Sequence, residues 1–141
     1  MFGVCILSVI PVRLEPADSS EMVSQILFGE HFEIIESDRQ WRKIKLAFDD
    51  YIGWIDFKQL QVISNEQFIY LENSVLNLSN DLVSLVGKEN GNYLSILQGS
   101  CLNFIDFFEP KFLLDSSSIC VKPEQSIPKI VFPPHKYGAP R

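Results

Sequence analysis

Histidine, cysteine and uninterrupted apolar stretches are all scarce in this sequence, and each scarcity removes a class of function. Its three cysteines, Cys5, Cys101 and Cys120, show neither a CxxC nor any metal-ligand spacing. They sit in Val-Cys-Ile, Ser-Cys-Leu and Ile-Cys-Val, apolar strand-like settings that raise a thiol pKa rather than lower it. Buried free thiols are expected, with a Cys101–Cys120 disulfide as the alternative. The two histidines, His31 on an expected strand and His135 near the C-terminus, are assigned structural or solvent-exposed roles. No run approaches the ~20 apolar residues a membrane span needs. Met1 to Leu7 has no basic leader region and no adequate apolar core before Pro11, so no signal peptide and a cytoplasmic location are expected. Basic charge is in deficit too: the net charge is −6. Residues 1–64 hold six basic and ten acidic side chains and residues 65–125 three and eight, whereas residues 126–141 hold three basic and none acidic. An acidic body is a poor match for phosphate backbones, so no nucleic acid is expected as a partner, and no membrane. Asp49-Asp50, without further carboxylates at regular spacing, is a solvated turn rather than a calcium loop. No metal and no cofactor are expected.

What is present is material for small β-barrels. Of the 141 residues 46% are hydrophobic, which excludes disorder as the main state, and eleven Phe, two Trp and four Tyr provide bulk. The organising stretch is Tyr51-Ile52-Gly53-Trp54-Ile55, strand formers around a glycine that lets backbones approach closely. Before it lie the acidic turn and the run Trp41 to Phe48, in which Ile44, Leu46 and Phe48 alternate with Lys43 and Lys45 as on a half-buried strand. After it, Asp56 to Leu60 forms a helical turn leading to a short closing strand. Upstream, Val4 to Ile10 is a strand ended by Pro11, since proline has no N–H for a ladder. Val12 to Leu14 resumes the extended chain, Glu15 to Ser20 turns, and Glu21 to Leu27 and His31 to Glu36 are further strands, the latter with Phe32 and Ile34 on one face. Ser37 to Gln40 is a turn. On the Gly-Trp strand, Ile52 and Trp54 share one face and Tyr51, Gly53 and Ile55 the other, with Trp54 as core anchor.

Ser64 and Gln67 are spaced as a capping box, so a short helix through Phe68 to Leu71 is expected as a joint. Beyond it, Leu76 to Leu78, Asp81 to Val86, Tyr93 to Leu97, Leu102 to Phe104, Phe112 to Leu114 and Ile119 to Val121 are strand-like. A hairpin-type loop spans Gly87 to Asn92 and a turn surrounds Glu109-Pro110. The fold class is therefore all-β: two small barrels joined by a short helix, with a Pro-rich C-terminal tail carrying Pro128, Pro133 and Pro134. The expected units are 1–64, 65–125 and the tail 126–141.

Three strings carry a resemblance: Val9 to Pro16, with its Val-Arg-x-Glu-Pro; Ser20 to Glu30, with Ser-Glu-Met-Val-x-Gln-x-x-Phe-Gly-Glu; and Trp41 with Tyr51 to Asp56. Together they resemble a bacterial SH3 domain, and more closely the N-terminal domain of NlpC-type cysteine peptidases that trim cell-wall peptides. The typical activity of that family is gamma-D-glutamyl-L-diamino-acid endopeptidase, or dipeptidyl-peptidase VI. The likeness covers nearly all of residues 3–64. It continues in a second SH3-like segment, where Asp81-Leu82-Val83 and Ile96 to Leu102 look like the family's Leu-Val and Gly-Ser-x-Leu pattern. Lys136 to Arg141 is similar to the opening of the catalytic domain, with Arg141 where an aromatic stands in the family.

The family cleaves amides with a cysteine thiolate activated by histidine, in an Asp-Cys-Ser-Gly-Phe setting. No such string occurs here, so this chain should not hydrolyse peptides alone. What the resemblance implies instead is recognition. An acidic residue and a tyrosine of the first domain wall off the substrate site and meet the free amino terminus of a murein peptide such as L-Ala-gamma-D-Glu-diamino acid. The carry-over falls on Glu21 and Tyr51, with Glu30 and Glu15 as weaker acidic candidates. Trp54, and Trp41 with it, is core or a stacking platform for peptide or sugar. The expected partners are a cell-wall peptide or peptidoglycan fragment and an NlpC-type catalytic domain in cis. Two alternatives stay open, a stand-alone peptidoglycan-binding module and an adaptor for proline-rich segments. The bacterial cell envelope is the alternative location.

Overall fold

The computed structural model describes residues 1–88, 92–103, 105 and 112–114. Seven strands form one antiparallel sheet: β1 (Phe2–Cys5), β2 (Val9–Arg13), β3 (Met22–Leu27), β4 (His31–Asp38), β5 (Trp41–Leu46), β6 (Ile52–Asp56) and β7 (Leu60–Ile63). Their order across the sheet is β3-β2-β6-β5-β4-β1-β7. A 3-10 turn, Phe57–Gln59, is capped by the Asp56 carboxylate and links β6 to β7. The expected succession of strand, acidic turn, Gly-Trp strand, helical turn and closing strand is observed.

The helix α1 (Asn65–Asn73) is longer than the turn expected at Phe68 to Leu71, but it starts at the anticipated cap. The Ser64 hydroxyl accepts from the Gln67 N–H at 3.1 Å, and the Gln67 side chain accepts from the Ser64 N–H at 2.9 Å. A second antiparallel sheet follows, β10 (Phe112–Leu114), β8 (Val83–Lys88) and β9 (Tyr93–Leu97), in the order β10-β8-β9. Leu76 to Leu78 is not a strand; it contributes one bridge, Leu78 to Cys101. Asp81 and Leu82 precede β8, and Leu102 and Asn103 are likewise outside strands. Asn103 explains the irregular path of both segments. Its side chain accepts from the Asn77 N–H at 2.8 Å and donates to the Val75 carbonyl at 2.7 Å, so backbone groups are satisfied by an amide instead of a ladder. The strand expected at Ile119 to Val121, the tip of the Gly87 to Asn92 loop, the turn at Glu109-Pro110, Cys120 with its disulfide, and the tail with His135 lie outside the described residues.

Two hydrophobic clusters hold the described residues together. The first lies on the inner face of the seven-stranded sheet and includes Ile10, Val12, Ile26, Phe32, Ile44 and Ile55. The second lies on the other face of the β1 region and joins Val4, Phe28 and Ile63 to Leu71 of α1 and to Val86, Ile96 and Ile105. Two glycines permit the close approaches these clusters require. A Cβ on Gly53 would fall 2.3 Å from Val12 Cγ1, which bears out the expectation for that residue. Gly29, at φ +79°, lies so close to Cys101 that a Cβ would fall 1.9 Å from its carbonyl oxygen.

Three local expectations are corrected. Pro11 lies within β2, where the strand pairs with β3 but reaches β6 only at Arg13, so its missing N–H falls on a strand with an open edge. Phe48 is beyond β5, exposed in the turn, instead of continuing the buried face. The inner face of β6 is the one carrying Ile55, fully buried, and Tyr51, packed against the first cluster; Ile52 on the opposite face is 49% exposed. Trp54 shares Ile52's face but is only 9% exposed, so its expected burial is borne out; it belongs to neither cluster, and the fully buried residue of this strand in the first cluster is Ile55.

Candidate functional site

Tyr51 is positioned by a tight acidic turn. Asp50 adopts a positive φ of 59°, which an aspartate tolerates better than most residues, and its carboxylate lies 3.3 Å from the Lys45 ammonium. The Asp49 carboxylate accepts from the Tyr51 N–H at 3.0 Å, and the Tyr51 carbonyl accepts from the Leu46 N–H at 2.9 Å. The backbone of Tyr51 is thus fixed on both sides. Its side chain is half-buried at the rim of the first cluster, so it is not lost in the core.

Glu21 ends a loop that is tied to itself. The Leu14 N–H donates to the Glu21 carbonyl at 2.9 Å, the Glu15 N–H donates to the Ser20 hydroxyl at 2.9 Å, and the Arg13 guanidinium donates to the Ser20 carbonyl at 3.1 Å. The Glu21 carboxylate is exposed, and among the described residues it accepts no hydrogen bond and forms no ion pair. Arg13 is directly opposite Trp54 in the β2–β6 ladder. In an antiparallel pair the residues following Arg13 run toward Gly53 and Tyr51. The Glu21 loop therefore leaves the sheet at the Tyr51 end of β6, and the register puts these two candidates at the same end of the sheet.

Trp54 does not join them in a pocket. Three residues from Tyr51 on a strand, it points to the opposite face. Arg13 and Lys43 are its two cross-strand neighbours there, and the Lys43 ammonium lies 5.7 Å from its ring centroid. Trp54 is only 9% exposed, which leaves little of the ring for stacking on a ligand. Trp41, on the same face two positions from Lys43, is similarly covered. Of the weaker acidic candidates, Glu30 uses its carboxylate to accept from the Leu27 N–H at 2.7 Å in the β3–β4 turn, and Glu15 is exposed.

Cys5 and His31 have no nucleophilic arrangement. The Cys5 thiol is pushed up to about 12, first by burial; a hydrogen bond with the Leu7 backbone opposes this and the Glu30 charge adds to it. A thiol so far from ionisation is inert. Cys101 is also buried, its sulfur 3.4 Å from Asn103 Oδ1. The His31 imidazole meets the Glu72 carboxylate of α1 at 2.7 Å and stands edge-on to Phe68, which itself stacks on Phe2 at 4.0 Å. Sequence reasoning assigned His31 a structural role but missed this partner. The available signal was the spacing of Phe68 and Glu72, one helical turn apart on one face of α1.

Residues 12–60 match the family model described as the bacterial dipeptidyl-peptidase SH3 domain. That span lies wholly within the seven-stranded sheet and contains Glu21, Tyr51 and Trp54. No curated protein matches the chain. Among solved structures, an NlpC/P60 family protein from Bacillus cereus superimposes with a TM-score of 0.58 at 15% identity, over 72% of this chain and 47% of that one. The likeness is one of fold, and this chain spans less than half the length of that protein. Residues 12–60 are thus similar to a bacterial SH3 domain, within an antiparallel, mostly β chain.

Proposed function

We propose that this chain is the non-catalytic, substrate-gating region of a murein-peptide endopeptidase of the NlpC type, recognising the free amino terminus of L-Ala-gamma-D-Glu peptides. The catalytic cysteine and histidine belong, in this reading, to a further domain in cis, and the protein acts in the cytoplasm. Residues 1–64 and 65–125 are its two SH3-like units and 126–141 the linker. The observation that carries the reading is the convergence of the Glu21 loop and the Tyr51 turn at one end of the sheet, inside the span that matches a dipeptidyl-peptidase SH3 domain. An exposed carboxylate gives a charge-assisted hydrogen bond to a peptide ammonium, and a tyrosine with a rigid backbone blocks chains that extend past it.

The test is calorimetry of the chain with L-Ala-gamma-D-Glu-diamino acid and with its N-acetylated form. Weak binding of the free peptide and none of the acetylated one is expected. Glu21→Gln should weaken the interaction about tenfold, the value of one charge-assisted hydrogen bond. Tyr51→Phe should leave the domain folded and change recognition only. Equal binding of both peptides, or an unchanged affinity in Glu21→Gln, would overturn the assignment. Tight binding in the absence of any catalytic domain would favour a stand-alone binding module.

A further inference from the structure

Residues 1–64 hold six cations, and three of them are engaged by their neighbours. Lys43 lies 3.5 Å from Glu36, Lys45 lies 3.3 Å from Asp50, and Arg13 donates to the Ser20 carbonyl. The other three, Arg39, Arg42 and Lys58, form no ion pair among the described residues. They gather at the end of the sheet opposite Tyr51. There the register sets Asp38, Trp41 and Asp56 level, and the Phe57 N–H donates to the Gln40 carbonyl at 2.8 Å.

Arg42 is the fixed member of the three. Its Nη1 donates to the Arg39 and Trp41 carbonyls, each at 2.9 Å, and its guanidinium lies 4.6 Å from the centroid of the Phe57 ring. Its Nε and Nη2 have no partner among the described residues, and both are open to solvent. Those two nitrogens are the side-on fork of a guanidinium, with parallel N–H groups that match both oxygens of one carboxylate. Arg42 shares its strand face with Ile44 and stands opposite Ser37 and Ile55, whereas Asp38 and Asp56 lie on the Trp41 face. The carboxylates beside it in the ladder thus project from the other face, and that of Asp56 already accepts from the Lys58 N–H.

We propose that the Arg42 fork binds a carboxylate side chain of an acidic peptide, with Phe57 beside it and Arg39 and Lys58 as flanking cations. Phe57 is 47% exposed and offers apolar surface next to the fork. A guanidinium held by two carbonyls and a ring loses little freedom on binding, unlike a surface lysine. Arg39, Arg42 and Lys58 against Asp38 and Asp56 leave one net positive charge, which suits a carboxylate better than a doubly charged phosphate. A second copy of this chain, at net −6, is repelled at long range. The site is at the far end of the sheet from Glu21 and Tyr51, so it does not rest on the reading given to those residues.

NMR titration of the isotope-labelled full chain tests this, read on the Arg42 Nε–H and the Phe57 amide. The probes are the capped peptide acetyl-Glu-Glu-Glu-amide and inorganic phosphate. The peptide should shift both signals saturably, and phosphate should act about tenfold more weakly. Arg42→Lys keeps the charge but loses the fork, and should weaken the peptide about tenfold on the Phe57 amide. Arg39→Asn suits the positive φ of 51° at that position; combined with Lys58→Gln it should weaken the peptide about threefold, so a folding defect in Arg42→Lys does not decide the outcome. Lys43→Gln, an equal loss of charge elsewhere on the sheet, should leave the affinity unchanged. Phosphate binding as tight as the peptide, an unmoved Arg42 Nε–H, or an affinity indifferent to Arg42→Lys would overturn the proposal. So would a shift that grows with protein concentration in the absence of peptide, which would assign the fork to a second copy.

Discussion

The cluster inside the seven-stranded sheet draws its buried residues from Cys5 to Ile55, whereas the cluster beneath the second sheet reaches from Val4 to Ile105. The first is supplied by one stretch of sequence folding back on itself through hairpins. The second is a joint product: strands from the barrel, one helix and the second sheet each supply a part. A core of the first kind can form within a single unit, while a core of the second kind exists only when both units are in place. The separation at residue 64, natural in the sequence, therefore runs beside a shared apolar contact.

The largest effect should come from breaking the joint. Gly29→Val places a side chain against the Cys101 carbonyl at a backbone angle that β-branched residues avoid. A loss on the order of 4 kcal/mol is expected, falling most heavily on the packing of the second sheet against the first. Hydrogen exchange should show β8 and β9 unprotected while the fluorescence of Trp41 and Trp54 is retained; equal loss in both sheets would erase the contrast. The next effect belongs to the self-contained core. Ile55→Ala should cost about 2–5 kcal/mol in urea unfolding, since its side chain is fully buried in the first cluster. Ile52→Ala, three positions earlier on the opposite face, should stay within about 0.5 kcal/mol. Similar costs would show that the two faces of β6 are not distinguished as described.

The smallest effect concerns Cys5, at the edge between the two clusters. Its thiol should resist alkylation at pH 8 in the folded chain and react once urea is added, as followed by mass spectrometry. Its ordinary value of 9.0 rises to about 12 on folding, so the neutral form is favoured in the native state. That contribution is fully present below pH 9.0 and is lost as pH rises toward 12. Stability should accordingly fall on the alkaline side; a flat profile there would contradict the burial of this thiol.

How much was legible follows the same division. The barrel's elements were visible because alternation at Phe32-Ile34 and Ile44-Leu46, the acidic turn and the Gly-Trp pair are local signals, and the register does little more than connect them. Pro11 and Phe48 went astray because an open edge and the end of a buried face depend on neighbours far away in sequence. Trp54 is buried, as its size implies, yet part of its cover is the long cationic side chain of Lys43 rather than either apolar cluster. In the second unit the strands β8, β9 and β10 were found, but Leu76 to Leu78 was overread because an asparagine, Asn103, satisfies the backbone that a strand would have satisfied. For the candidate site, Glu21 and Tyr51 are named through resemblance, and their shared end of the sheet follows from the register, which no local pattern contains.

The pairing of β1 with β7 fixes when this sheet can be completed. Phe2 lies opposite Ile63, so this pairing joins two stretches some sixty residues apart. Closing a loop of that length costs about 4 kcal/mol of chain entropy, against which only four residue pairs are gained directly. As the polypeptide leaves the ribosome, hairpins such as β4–β5 can form early, but this pairing must wait for Leu60 to Ile63. The next residues to emerge are Ser64 and the start of α1, whose Phe68 stacks on Phe2 and whose Glu72 meets His31. The order of synthesis thus delivers the clasp directly after the last strand it secures.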